Sequence, residues 1–224
     1  MTEASDFLTA TRTFYDAIAE DYADHFRDLH AKLPWDRAVF ALYAELVGVG
    51  GKVADLGCGP GRVTGHLASL GLSLSGLDLS ESMLTVARRE NPGIRFERGS
   101  MLELGHEDGS LDGVVSWYSS IHTPADRLPR LFAEFRRVLK PGGHALLAFQ
   151  VGEEPRHLER PWGHPVSLDF HRRTPEGMAG LLAEAGFSVR SRTVRAPEPE
   201  LDEKVPQAYL VARAWRAPAG ESSS

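Results

Sequence analysis

The hydrophobic positions of this chain switch between two periods. Phe14, Ile18, Tyr22 and Phe26 recur every four residues and predict a helix over 11–26 with one apolar stripe. A second helix is expected over 36–47, with Pro34 near its start and Asp36 as its cap. The short apolar run beginning at Val53 then reads as a buried parallel strand. Glycines follow, and 63–70 returns to helical spacing through Val63, Leu67 and Leu70. The alternation continues. Strands are expected at 73–78, 94–97, 111–117, 144–151, 187–194 and 205–214, and helices at 80–90, 126–138 and 175–185. Asn91-Pro92-Gly93 and Pro141-Gly142-Gly143 punctuate the pattern, Ser80 caps one helix, and Thr174 followed by Pro175 opens another. Seven strands interleaved with helices predict a doubly wound α/β sheet behind two N-terminal helices.

The chemistry concentrates where the first strand ends. Asp55-Leu56-Gly57-Cys58-Gly59-Pro60-Gly61 places three glycines in five positions, two residues after an acid. Glycine permits backbone angles that other residues avoid and lets a ligand approach the main chain. A dinucleotide fingerprint, G-x-G-x-x-G, would need glycine at 62, where the chain has Arg62. The second strand ends in Asp78, the place from which an acid reaches the ribose of a nucleotide lying on the first loop. Its two oxygens can accept from both ribose hydroxyls; capping the next helix is the other role open to it. The fourth strand runs into Ser116-Trp117-Tyr118-Ser119-Ser120-Ile121-His122, at the sheet edge that faces a ligand crevice. Tyr118 and His122 are the candidate catalytic groups there. His122 is a base because imidazole titrates near neutrality, or else a wall of the pocket.

These motifs, in this order, resemble class I S-adenosylmethionine-dependent methyltransferases of the small-molecule type. The glycine loop, the Asp78 position, the 111–117 strand and Arg137-Val138-Leu139-Lys140-Pro141-Gly142-Gly143 carry the likeness, which extends over about 11–214. The resemblance implies a Rossmann-like methyltransferase fold, a seven-stranded, mostly parallel sheet ordered 3-2-1-4-5-7-6 with N-terminal lid helices. It also implies S-adenosylmethionine as cofactor and in-line displacement of its methyl group onto a small acceptor, with S-adenosylhomocysteine as product. Asp55 suits the cationic amino acid head. Tyr15 and Tyr22, in a segment similar to the family's first helix, either cover the cofactor or pack that helix. Gly57, Cys58 and Gly59 form the turn, Cys58 as a small filler rather than a nucleophile. Asp78, Leu79 and Met83 border the ribose. Ser100 stands where the family often has aspartate at the adenine, so that contact falls to Ser100, Met101 and Leu102. Ser116 and Trp117 complete the cofactor set. The alternative is an S-adenosylmethionine-binding regulatory protein, or a non-methylating enzyme on the same fold.

Composition narrows the partners. The 224 residues carry a net charge of −6, which argues against a broad nucleic-acid footprint. A single cysteine excludes an internal disulfide. No run of ~18 apolar residues and no basic-then-apolar leader is visible, so a soluble cytoplasmic protein without a membrane partner is expected. One domain over 1–217 is expected: lid helices at 1–48, a cofactor half at 49–151, a substrate side at 152–217, and then a disordered tail at 218–224. The 152–173 stretch is the least family-like, and acceptor specificity is expected there. Its His164, Asp169 and His171 are read as a charged loop paired by Arg172 and Arg173, with no metal. The 196–203 stretch is read as a solvated acidic loop.

Overall fold

Two short apolar segments, β1 (Lys52–Leu56) and β4 (Leu111–Trp117), lie side by side at the middle of a seven-stranded sheet. The structure, a computed structural model, describes residues 3–27 and 29–215; the expected disordered tail at 218–224 lies outside them. The remaining sheet strands are β2 (Ser73–Asp78), β3 (Arg95–Arg98), β5 (Leu139–Gln150), β8 (Phe187–Arg195) and β9 (Gln207–Ala214). Their order is β3-β2-β1-β4-β5-β9-β8, and β9 alone runs against the rest. Apart from an inserted hairpin, this is the topology the resemblance implies. Both faces are covered, which is why strands such as β4 are apolar without alternation. Helices α6 (Leu128–Val138) and α7 (Pro175–Glu184) bury Phe132, Phe135 and Leu182 on one face. On the other, α3 (Pro34–Val47) and α4 (Arg62–Ser69) bury Phe40, Tyr43 and Leu67. The strand order reverses between β1 and β4, and a crevice opens at their carboxyl ends.

Helix α1 starts at Glu3, earlier than the apolar stripe suggests, and runs to Phe26. A four-residue α2 (Leu29–Lys32) follows. Phe14 and Ile18 are buried against α5 (Glu81–Glu90) and the inserted hairpin. Asp16 anchors α1 by accepting from the Ser80 hydroxyl at 2.6 Å. Ser80 in turn caps α5, accepting from the Met83 N–H. Asp36 is not the cap of α3. That place belongs to Leu33, and the helix starts on Pro34, whose ring presets the first turn. The Asp36 carboxylate turns inward because the Tyr209 hydroxyl donates to it at 2.7 Å.

Two loop expectations are corrected. Residues 152–173 hold a hairpin, β6 (Arg156–Glu159) against β7 (Ser167–Phe170). Among the described residues Arg172 and Arg173 do not pair its charges. His157 bonds Asp169 at 2.6 Å, and His164 bonds Asp21 of α1 at 2.7 Å. Alternation is the reason: His157 and Asp169 face each other across the two strands on the outward side. The 196–203 segment is also not simply solvated. Glu203 takes both ends of the Arg195 guanidinium, at 2.5 and 2.6 Å. Among the described residues no helix is long and apolar enough to cross a membrane.

Candidate functional site

The turn after β1 is shaped by what its glycines must avoid. Gly57 has φ +73°, and a Cβ there would lie 2.4 Å from that of Ser119. Gly59 has φ +54°, yet a Cβ there would meet nothing within 4 Å. The first glycine is required by packing, whereas the second leaves the main chain bare to open space. That space is a cavity of about 540 Å³, within the range of small-molecule sites. It lies between the ends of β1, β2 and β4, helix α1, the hairpin and the 201–205 segment.

Asp78 closes the turn from the neighbouring strand. Its carboxylate accepts from the Gly59 N–H at 2.8 Å and the Ser80 N–H at 2.9 Å. Burial pushes its pKa up, and these N–H bonds oppose the rise. A carboxylate offers about four lone-pair sites, so acceptor capacity remains for two further hydroxyls. Asp55 lies deeper. Burial raises its pKa to about 7, Asp78 adds repulsion, and the Thr64 hydroxyl, donating at 2.6 Å, pulls it down. A buried carboxyl so poised favours a cation brought near it. Gly59, Asp78 and Asp55 therefore fit a ligand with a vicinal diol and a cationic head.

Of the residues expected at the cofactor, Tyr15, Tyr22, Asp55, Gly57, Cys58, Gly59, Asp78, Leu79, Met83, Ser100, Met101, Leu102 and Trp117 border the cavity. The Ser100 hydroxyl accepts from the Leu102 N–H at 3.2 Å and braces that turn. Burial keeps the Cys58 thiol protonated, consistent with a filler. Ser116 is a correction, because it does not border the cavity. Its hydroxyl is spent inside the wall, on Ser119 Oγ at 2.8 Å and the Ser120 N–H at 3.2 Å, and it holds the turn that Gly57 packs on.

Tyr118 and His122 both border the cavity. Tyr118 has φ +54°, rare for a bulky residue and marking local strain. Burial pushes its phenol pKa well up. His122 Nε2 lies 2.8 Å from the Tyr15 hydroxyl, and the His122 ring stands edge-on to Phe170 at 4.8 Å. Burial drives the imidazole pKa down to about 4. His122 is therefore neutral near pH 7 and a weaker base than an exposed histidine.

This shift has a pH signature. Between pH 6.5 and 4 the unfolded chain takes a proton on His122 that the folded chain refuses, so acidification destabilises the fold. Asp55 has the opposite sign, because the folded chain holds its proton up to about 7 and the unfolded chain releases it near 3.9. The two slopes cancel over much of the window. Removing the imidazole should leave the Asp55 slope exposed. His122→Gln is expected to gain about 1–2 kcal/mol relative to the parent on going from pH 7 to pH 5. Urea unfolding of both proteins at the two pH values measures this; parallel pH dependences would refute it.

Sequence reasoning missed a polar chain along the cavity wall. Arg195 Nε donates to the Tyr209 hydroxyl at 2.8 Å, and that hydroxyl donates to Asp36. Asp36, Arg195 and Glu203 all border the cavity. The members lie in α3, β8, β9 and a loop, and no local spacing links them. The one available signal is an arginine ending β8 just before an acidic, proline-broken loop.

Residues 53–143 match a family described as a methyltransferase domain. A demethylmenaquinone methyltransferase of Chlorobaculum tepidum is 32% identical over 186 residues, 80% of this chain and 74% of that protein. A trans-aconitate 2-methyltransferase of Methylobacterium nodulans is 34% identical over 173 residues, and these cover 74% of this chain but only 59% of that one. The 1,6-didemethyltoxoflavin-N1-methyltransferase of Burkholderia thailandensis, solved with bound 1,6-didemethyltoxoflavin and S-adenosylhomocysteine, shares the fold. Its TM-score is 0.73 at 19% identity, over 96% of this chain and 92% of that one.

Proposed function

Because the chain belongs to the family of S-adenosylmethionine-dependent methyltransferases, we propose that its cavity admits a small-molecule acceptor and that the residues bordering Gly59 hold the cofactor. One observation carries the reading. The single open position of the glycine turn, Gly59, faces a cavity and gives its N–H to Asp78, the acid that ends the next strand. The cofactor supplies an electrophilic methyl group on a sulfonium.

The protein's part is binding and alignment, which can supply ~7–11 kcal/mol of barrier lowering. Asp78 takes the ribose hydroxyls, Asp55 balances the ammonium, and Ser100, Met101 and Leu102 border the adenine. Tyr15 and Tyr22 close the site from α1. The neutral His122 orients the Tyr15 hydroxyl and is a base only for an acceptor that is itself weakly protonated. The division of labour follows the chain: lid helices at 1–48, cofactor half at 49–151, acceptor side at 152–217. Relatives named for demethylmenaquinone, trans-aconitate and 1,6-didemethyltoxoflavin support a small acceptor, and the net charge of −6 disfavours nucleic acid.

The test uses the product. S-adenosylhomocysteine should raise the melting temperature where NAD does not, as ligand linkage requires. Calorimetry near pH 7 in buffers of different ionisation enthalpy should show release of about half a proton, because Asp55, with a pKa of about 7, ionises beside the bound ammonium. Stabilisation by NAD alone would overturn the reading.

A further inference from the structure

The inserted hairpin has two unlike faces. Outward, His157 is balanced by Asp169 across the strands. Inward, the alternating residues are Arg156 and Leu158 on β6, and Leu168 and Phe170 on β7, with Arg172 next in the same alternation. Arg156, Leu158, Phe170 and Arg172 border the cavity.

Neither inward arginine is locked in an ion pair among the described residues. The other cavity arginine of the acceptor side, Arg195, is held by Glu203. Lys204 is paired with Asp202. Arg156 and Arg172 form no ion pair with a carboxylate among the described residues, and Arg172 Nε is buried without a hydrogen-bond partner. Asp202 is the acid whose field reaches Arg156, and it is already committed to Lys204. Arg156 is exposed, whereas a buried guanidinium nitrogen without a partner, as at Arg172 Nε, is costly.

Arg172 is also fixed in place. The His171 N–H bonds the Ile121 carbonyl at 2.9 Å, and the Arg173 N–H bonds the Gln150 carbonyl at 3.0 Å. Its backbone is thus strung between the turn carrying His122 and the end of β5. Two residues earlier, Phe170 touches the His122 ring. Arg172 is thus anchored through its neighbours beside the turn that carries His122, and Arg156, opposite Phe170 in the hairpin, is exposed. Aromatic residues also line the cavity: Trp162, held at φ +48°, meets Tyr22 and His25 ring to ring.

We propose that the acceptor is an organic carboxylate with an apolar body, its anionic group taken by Arg172 and Arg156 and its body lying against Leu158 and Phe170. This rests on the reading of the cavity as an acceptor site. A guanidinium matches a carboxylate in shape as well as charge, through paired N–H···O bonds.

The test is calorimetric titration of the full chain saturated with S-adenosylhomocysteine. The probes are 2-naphthoate, cinnamate and octanoate, each against its own uncharged amide. At least one carboxylate should bind saturably and ~10-fold or more tighter than its amide. Arg172→Gln and Arg156→Gln should each weaken it ~10- to 100-fold, the range for a bond to a charged group, while S-adenosylhomocysteine affinity stays within about twofold. Carboxylates that bind no better than amides, no saturable binding by any of them, or an unaltered affinity in Arg172→Gln overturns the proposal. Failure of S-adenosylhomocysteine to bind the parent protein would sink the cofactor reading first, and this inference with it.

Discussion

Replacing Asp78 by alanine is expected to weaken S-adenosylhomocysteine binding by ~100-fold or more while the chain still folds. Two ligand hydroxyls lose a charged acceptor, each at about 1.5 kcal/mol or above, and ~3 kcal/mol is about two decades of affinity. The loss has a second source. The same carboxylate holds the Gly59 and Ser80 N–H groups at 2.8 and 2.9 Å, so the bare turn loses its brace and pays ordering entropy on binding. Asp78→Asn keeps one acceptor oxygen and should fall between the two. Calorimetric titration of variants whose folding is checked by circular dichroism measures this. Parent-like affinity in Asp78→Ala would remove the acid from the site.

The second large effect is on stability. Gly57→Ala should destabilise the protein by about 2–5 kcal/mol, combining ~1–2 for a left-handed alanine with ~1–3 for overpacking. Its Cβ would lie 2.4 Å from Ser119 Cβ and 3.0 Å from Met101 Cε. The methionine can move, but Ser119 cannot, because its hydroxyl is tied to the Leu56 carbonyl at 2.5 Å and to Ser116. A drop in melting temperature of about 4–20 °C follows from the usual scaling for this chain length. Gly59→Ala is the counterpart. It carries the same kind of backbone strain but no clash, so it should cost about 1–2 kcal/mol while its methyl group fills the space a ligand needs. Scanning calorimetry with and without S-adenosylhomocysteine separates the two. Equal melting temperatures for the two variants would refute the division between a packing glycine and a binding glycine.

The proposed cofactor side was legible because its signals are local. A turn that needs left-handed angles must spend glycines, as at Gly57, Gly59 and Gly61, and a strand with an acid at its end announces itself within a few residues, as Asp78 does. The β4 and β2 boundaries were readable for the same reason. Ser116 misled because periodicity tells which residue ends a strand but not whether its hydroxyl turns to the cavity or into the wall.

The proposed acceptor side was not legible, and the reason is distance along the chain. Asp36 reads as a helix cap until Tyr209, on the other side of the sheet sequence, claims its carboxylate. Residues 152–173 read as a charged loop because each of β6 and β7 spans only four residues, too few for alternation to stand out. His122 looks like an ordinary base in sequence; only burial beside Phe170 and Tyr15 lowers its pKa to about 4. The sequence by itself determined the α/β alternation, the glycine turn and the acid that serves it, because backbone geometry and hydrophobic period act over a few residues. The tertiary structure alone decided which charges are compensated and which, like Arg172 with its unpartnered Nε among the described residues, are not, because desolvation and pairing depend on neighbours that the chain brings together only when it folds.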